Sequence, residues 1–238
     1  MRNFVFRAVP IVLMPLMIGC GEAERNADAA PPPPTADTVA AASESPARGT
    51  VLFLGTSLTA GLGLPTQQSF PALIQAKVDS AGLPFHVVNA GVSGETSAGA
   101  LRRIDWLLRQ PFDVLVLETG ANDMLRGTDL DTTRANIQAI VDRVRAKRPR
   151  VHILLAGMMA PPNLGREYAN RFRDMYPSVA VENDLPLVPF LLADVGGVPA
   201  LNQRDGIHPN AEGQRIVAEN VWDVLEPELR EVATGLGR

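Results

Sequence analysis

A three-layer α/β/α domain on a five-stranded parallel sheet is the fold that residues 49–238 predict. Two observations carry that expectation. Short, near-continuous apolar runs at 51–54, 85–89, 114–117 and 151–156 read as strands buried on both faces, not as the alternating strands of a half-exposed sheet. Between them lie longer segments with apolar residues at helical spacing, and this alternation is the pattern of a parallel sheet covered on both sides. With 238 residues, 46% of them hydrophobic, the chain has enough apolar material for one sizeable domain.

The first run, Val51 to Leu54, passes directly into Gly55-Thr56-Ser57, so a strand delivers a serine hydroxyl to a turn. Ser69 and Pro71 mark a helix start, Leu73, Ile74 and Val78 give its buried stripe, and Ala81-Gly82 ends it. The second strand, 85–89, ends in the glycine-rich turn 90–96. A helix over 97–108 follows, with Leu101, Ile104, Leu107 and Leu108 inward. The third strand, 114–117, ends in Glu118-Thr119-Gly120-Ala121-Asn122-Asp123. The next helix covers 131–147, with Ile137, Ile140, Val141 and Val144 on one face and Pro149 beyond its end. After the fourth strand, 151–156, comes the loop 157–165, then a helix over 167–182 and a short fifth strand at 187–189. A final helix over 211–225 is expected to continue irregularly past Pro227.

Parallel strands put all their C-terminal ends on one edge, where open α/β sheets bind ligands. Ser57, the Gly91–Gly94 turn, Asn122 and Asp205-Gly206-Ile207-His208-Pro209 are therefore expected to be neighbours. An Asp three residues ahead of a His can hold one ring nitrogen and leave the other facing outward, which is how a general base is oriented. With Ser57 nearby the parts amount to nucleophile, base and orienter, and the Ser57 and Gly94 N–H groups with the Asn122 amide would be oxyanion donors. His86 and His152 fall at strand starts, on the opposite edge, and are expected to be structural. Asp123 is expected to fix its loop, Asn89 to shape its turn, and Glu118 to be buried with no partner for proton transfer.

Taken alone, Gly-Thr-Ser also fits a phosphate-cradling loop or a plain strand-to-helix connection. The nucleophile elbow of α/β-hydrolases needs a glycine two residues after the serine, where this chain has Thr59, and the Gly-Lys-Ser/Thr of a P-loop is absent. A flavin- or phosphate-binding loop would leave Asp205 and His208 unexplained. Net charge is −4 with no basic cluster, so no nucleic-acid partner is expected.

The first twenty residues differ in kind: Arg2 and Arg7, then an uncharged stretch over 8–19, too short to span a bilayer. They read as an export signal. The single cysteine, Cys20, ends this stretch after Met17-Ile18-Gly19 and resembles the lipidated cysteine of a bacterial lipobox, with Met17 where Leu is usual. No intrachain disulfide can form. Residues 21–48, rich in Ala and Pro, are expected to be a disordered linker. The protein would then be anchored to a membrane through Cys20, on the periplasmic or outer-surface side of the cell envelope.

Four segments together, GTSLTAG at 55–61, NAGVSGETS at 89–97, GAND at 120–123 and DGIHP at 205–209, resemble the four blocks of the SGNH, or GDSL, hydrolases. The resemblance covers about residues 50 to 227 and is nearest to the bacterial branch of thioesterases, lysophospholipases and arylesterases. It implies a flavodoxin-like fold and a serine esterase that forms an acyl-enzyme, with Ser57 as nucleophile, Gly94 and Asn122 as oxyanion donors, His208 as base and Asp205 as its support. It implies no metal and no organic cofactor. The family usually has Asp before the Ser; here Thr56 stands there, with a hydroxyl expected to bond to the loop backbone. Leu62, Leu64, Met158, Met159 and Pro161 are expected to line an apolar groove for an acyl chain or aromatic ester, in a small-molecule or lipid substrate taken by a monomer. A carbohydrate O-deacetylase and a non-catalytic binding protein of the envelope remain as alternatives.

Overall fold

The structure, a computed structural model, describes residues 49–236; the expected export signal, Cys20 and the linker lie outside the described residues. Strands β1 (Gly49–Gly55), β2 (Phe85–Gly91), β3 (Val114–Glu118), β4 (His152–Ala156) and β5 (Leu187–Val188) form one parallel sheet in the order β2-β1-β3-β4-β5. The helices are α1 (Ser57–Ala60), α2 (Phe70–Ser80), α3 (Ser97–Leu107), α4 (Ala121–Leu125), α5 (Leu130–Lys147), α6 (Arg166–Glu182) and α7 (Ala211–Leu236).

The chain runs outward from β1 to β2 and then returns past β1 to β3, so its direction reverses there. Right-handed crossovers convert that reversal into two helix layers. Helix α2 packs with α7 in one layer, while α3, α5 and α6 lie side by side in the other. Every residue of the central strand β3 is buried, which explains its unbroken apolar run and puts its last side chain, Glu118, out of reach of water. The core closes with Phe53 edge-on to Phe70 at 5.6 Å and Phe172 edge-on to Tyr176 at 5.5 Å.

The register pairs Gly55 with Gly91 and Leu54 with Leu117, so the loops after β1, β2 and β3 leave the sheet at one level. The reversal between β1 and β3 is the topological switch point, where such sheets bind ligands. Three expectations need correction. Strand β2 extends to Gly91 instead of stopping at Asn89, because Gly91 pairs with Gly55. Helix α7 runs regularly through Pro227 to Leu236, since burial of Leu229 offsets the one backbone bond that proline removes. The turns after β1 and β3 each contain a short helix, α1 and α4, too brief to show periodicity.

Helix α1 lies directly on β2. A Cβ built on Gly91 would sit 2.3 Å from the Ala60 nitrogen and 2.9 Å from the Thr56 carbonyl oxygen, both rigid backbone. Gly91→Ala is therefore expected to lower stability by about 2 kcal/mol and Tm by roughly 4–8 °C. Thermal unfolding checks this; an unchanged Tm would show that α1 can move off the sheet freely.

Candidate active site

Ser57 is the first residue of α1, where a helix N-terminus leaves its N–H without an intrahelical partner. The residue is 8% exposed and lines a cavity of about 570 Å³. Ser57 Oγ lies 2.8 Å from His208 Nε2, and His208 Nδ1 lies 2.7 Å from Asp205 Oδ2. An ionised carboxylate only accepts, so Nδ1–H donates to Asp205; Nε2 then carries the lone pair and accepts from the Ser57 hydroxyl.

Asp205 holds this orientation from a tight local turn. Its Oδ1 accepts the backbone N–H groups of His208 and Ile207, each at 3.0 Å. These two bonds, then the imidazole contact, pull its pKa from the ordinary 3.8 to about 2. The turn is tied to the Ser57 loop by Gln203, whose amide N–H₂ donates to the Leu62 carbonyl at 2.7 Å and the Pro209 carbonyl at 3.0 Å. Gly63 makes room for this crossing, since a Cβ there would lie 2.2 Å from Gln203 Oε1.

The turn after β2 takes up a positive φ of 77° at Gly94. Its backbone is gripped from three sides. Arg126 donates to the Gly94 carbonyl at 2.7 Å, and Asn122 Nδ2 donates to the Glu95 carbonyl at 2.9 Å. The Glu95 carboxylate accepts from Arg103 at 2.7 and 2.8 Å, and Arg103 also reaches the Ala90 carbonyl at 2.8 Å. Among the described residues, no loop or side-chain acceptor takes the N–H of Ser57 or Gly94. All three residues, Ser57, Gly94 and Asn122, line the cavity, and Asn122 spends one amide hydrogen on the Glu95 carbonyl.

Glu118 is 1% exposed and accepts from the Thr56 N–H at 2.6 Å, the Thr56 hydroxyl at 2.9 and 3.0 Å, and the Thr59 hydroxyl at 2.9 Å. The Thr56 hydroxyl thus bonds to a strand carboxylate and not to the loop backbone, a correction to the expectation. Burial pushes the Glu118 carboxyl up, and its donors pull it part of the way back.

Of the residues placed at an apolar groove by the sequence, Leu62, Met158, Met159 and Pro161 line the cavity and Leu64 does not. Leu125, Phe190, Leu192 and Ile207 line it without having been anticipated, because Leu125 ends the short helix α4 and the other three lie in irregular loops, none with a periodic pattern. Asp123 accepts the Ser97 N–H and hydroxyl at 2.8 and 2.6 Å, so it anchors α3, and Asn89 bonds to the Thr59 carbonyl and Gly91 N–H. His86 and His152 lie at the far edge of the sheet, His152 against Glu228. Among the described residues no cluster of three or more His, Cys, Asp or Glu is placed to hold a metal ion.

The model of the GDSL-like lipase/acylhydrolase family matches residues 53–216. Esterase TesA of Pseudomonas aeruginosa is 42% identical over 181 residues, covering 76% of this chain and 89% of its own. Thioesterase 1/protease 1/lysophospholipase L1 of Escherichia coli K12 is 39% identical over 183 residues, covering 76% and 85%. The crystal structure of the psychrotrophic esterase EstA from a Pseudoalteromonas species, inhibited by monoethylphosphonate, superposes with a TM-score of 0.71 at 33% identity, covering 76% and 99%.

Asp205 has its pKa lowered on folding, so its contribution to stability is complete above pH 3.8 and lost as the pH falls towards about 2. A carboxyl-resolved NMR titration is expected to give Asp205 a midpoint near 2. A midpoint at 3.8 or above would mean that the turn's N–H groups do not hold it.

Proposed function

We propose a mechanism and a substrate class for a chain that belongs to the GDSL-like lipase/acylhydrolase family and is a serine ester hydrolase. Ser57 Oγ attacks the ester or thioester carbonyl while His208 Nε2 takes its proton. The oxyanion is met by the Ser57 and Gly94 N–H groups and the Asn122 amide. The imidazolium, steadied by Asp205, protonates the leaving alcohol or thiol; water activated by His208 then releases the acid from the acyl-enzyme. The unbroken Ser57–His208–Asp205 contact opening into an apolar cavity carries this reading.

Substrates on this reading are acyl-lipid, lysophospholipid or aryl esters, or thioesters, whose apolar part enters between Met158, Met159, Phe190 and Ile207. The thioesterase and lysophospholipase names of the Escherichia coli relative support an acyl chain there. The enzyme acts as a monomer in the cell envelope, exported by residues 1–20 and held to the membrane by lipidated Cys20; the charge and length pattern of that segment supports this placement. No helix among the described residues is long and apolar enough to cross a membrane.

Labelling with a fluorophosphonate, read by intact mass, tests the mechanism. One adduct is expected on wild type, none on Ser57→Ala and a slowed one on His208→Ala; with Asn122→Ala, kcat should fall about a hundredfold or more. An unlabelled, folded wild type would overturn the assignment of Ser57. The substrate class is tested by a chain-length series of p-nitrophenyl esters, in which kcat/KM is expected to rise from acetate to medium acyl chains. A preference for acetate over all longer chains would exclude the apolar groove and favour deacetylation.

A further inference from the structure

We propose that Glu118 is the positioning residue of the nucleophile turn, its buried carboxylate gathering the donors on either side of Ser57 and so fixing where the serine hydroxyl and N–H point. The proposal rests on the reading of Ser57 as the nucleophile.

A buried carboxylate must find its partners within the protein. Among the described residues, the partners of Glu118 all come from one turn: the N–H and hydroxyl of Thr56, and the hydroxyl of Thr59. These groups bracket Ser57, one immediately before it and one half a helical turn after it. Thr56 and Thr59 are themselves buried, so neither hydroxyl can turn to water instead. Thr56 stands at the N-cap of α1, yet its side chain makes no cap bond; it is committed to Glu118.

The neighbouring backbone is shaped to admit this contact. A Cβ on Gly55 would lie 2.7 Å from Glu118 Oε2 and 1.9 Å from Thr59 Oγ1, so only a residue without one leaves the carboxylate its path to the turn. The carboxylate comes from the central strand, which lies between β1 and β4. The nucleophile turn is thereby tied to a strand buried over its whole length and not merely laid upon the sheet. A short helix of four residues has little stability of its own, so the clamp sets its geometry.

Three variants test the proposal, with wild-type fluorophosphonate labelling as the check on Ser57 itself. In Glu118→Gln one carboxylate oxygen becomes an N–H₂ group, so the clamp keeps one accepting oxygen in place of two, and a donor stands where Oε1 now accepts the Thr56 hydroxyl or where Oε2 gathers all three donors. This should lower kcat and the labelling rate about tenfold or more, the size of effect that misplacement of a reacting group produces. KM should stay within about twofold, because substrate does not touch Glu118. Thr56→Val, which keeps shape and removes the hydroxyl, should show the same split, and Thr56→Ser should restore kcat. If wild type labels and Glu118→Gln labels at the same rate, or its loss falls entirely in KM, the positioning role is overturned. If Glu118→Gln does not fold, the Thr56 pair decides: equal losses in Thr56→Val and Thr56→Ser assign the effect to packing and overturn the role. A wild type that does not label overturns the reading of Ser57 instead.

Discussion

A carboxylate at the inner end of the central strand has to be satisfied by protein groups, and the turn that carries Ser57 supplies them. This constraint joins two levels of the structure. The sheet order buries β3 completely, and that burial makes Glu118 dependent on Thr56 and Thr59. The cost of leaving such a group unpaired is several times what one exposed hydrogen bond contributes, so the turn is held where the carboxylate needs it. Gly55 and Gly91 follow from the same crowding. Side chains there would occupy the space that the turn takes when it closes on Glu118 and lies against β2.

The other loops of the site are tied to that turn and to one another by side chains, not by regular structure. Asn122 holds the Glu95 carbonyl, Arg103 holds the Glu95 carboxylate and the end of β2, and Gln203 joins the Asp205 turn to the Leu62 carbonyl. These ties span from 8 to 141 residues of sequence, and the shared register of β1, β2 and β3 sets the level at which the loops after those strands meet. A parallel sheet thus gives the rough placement, and the polar ties remove the freedom the loops would otherwise keep.

Much of this was legible in the sequence. The apolar runs and amphipathic stripes located the strands and the longer helices, since burial on both faces or on one face leaves a periodic trace. Ser57, Asn122, Asp205 and His208 were legible because each follows a predicted strand and all fall on one edge. What escaped has a common cause. Helices α1 and α4 are shorter than two turns and carry no period; Glu118 and Gln203 act through distant partners; and Phe190, Leu192 and Ile207 reach the cavity from an irregular loop. The single usable signal for Glu118 was a carboxylate ending an otherwise apolar strand. The expected backbone bond of the Thr56 hydroxyl failed for the same reason: a nearer, stronger acceptor arrived from another strand. Leu64 failed because proximity in sequence to the serine loop does not decide which way a side chain faces.

Two carboxylates beside the site meet opposite environments, and the contrast explains their separate tasks. Glu118 is deep, so desolvation raises its pKa even against several donors; it suits holding, not charge transfer. Asp205 has a side chain 46% exposed, yet two N–H groups of its own turn keep its pKa near 2. It therefore stays ionised beside His208 throughout the range in which an imidazole gains and loses a proton. Because those donors lie two and three residues away, this property needs nothing from the rest of the fold. Only the reach of His208 to Ser57 does, and that reach depends on Gln203 bridging to the loop that the Glu118 clamp has already fixed. The orienter is local, the nucleophile is set by the sheet, and the distance between Nε2 and Oγ is where the two constraints meet.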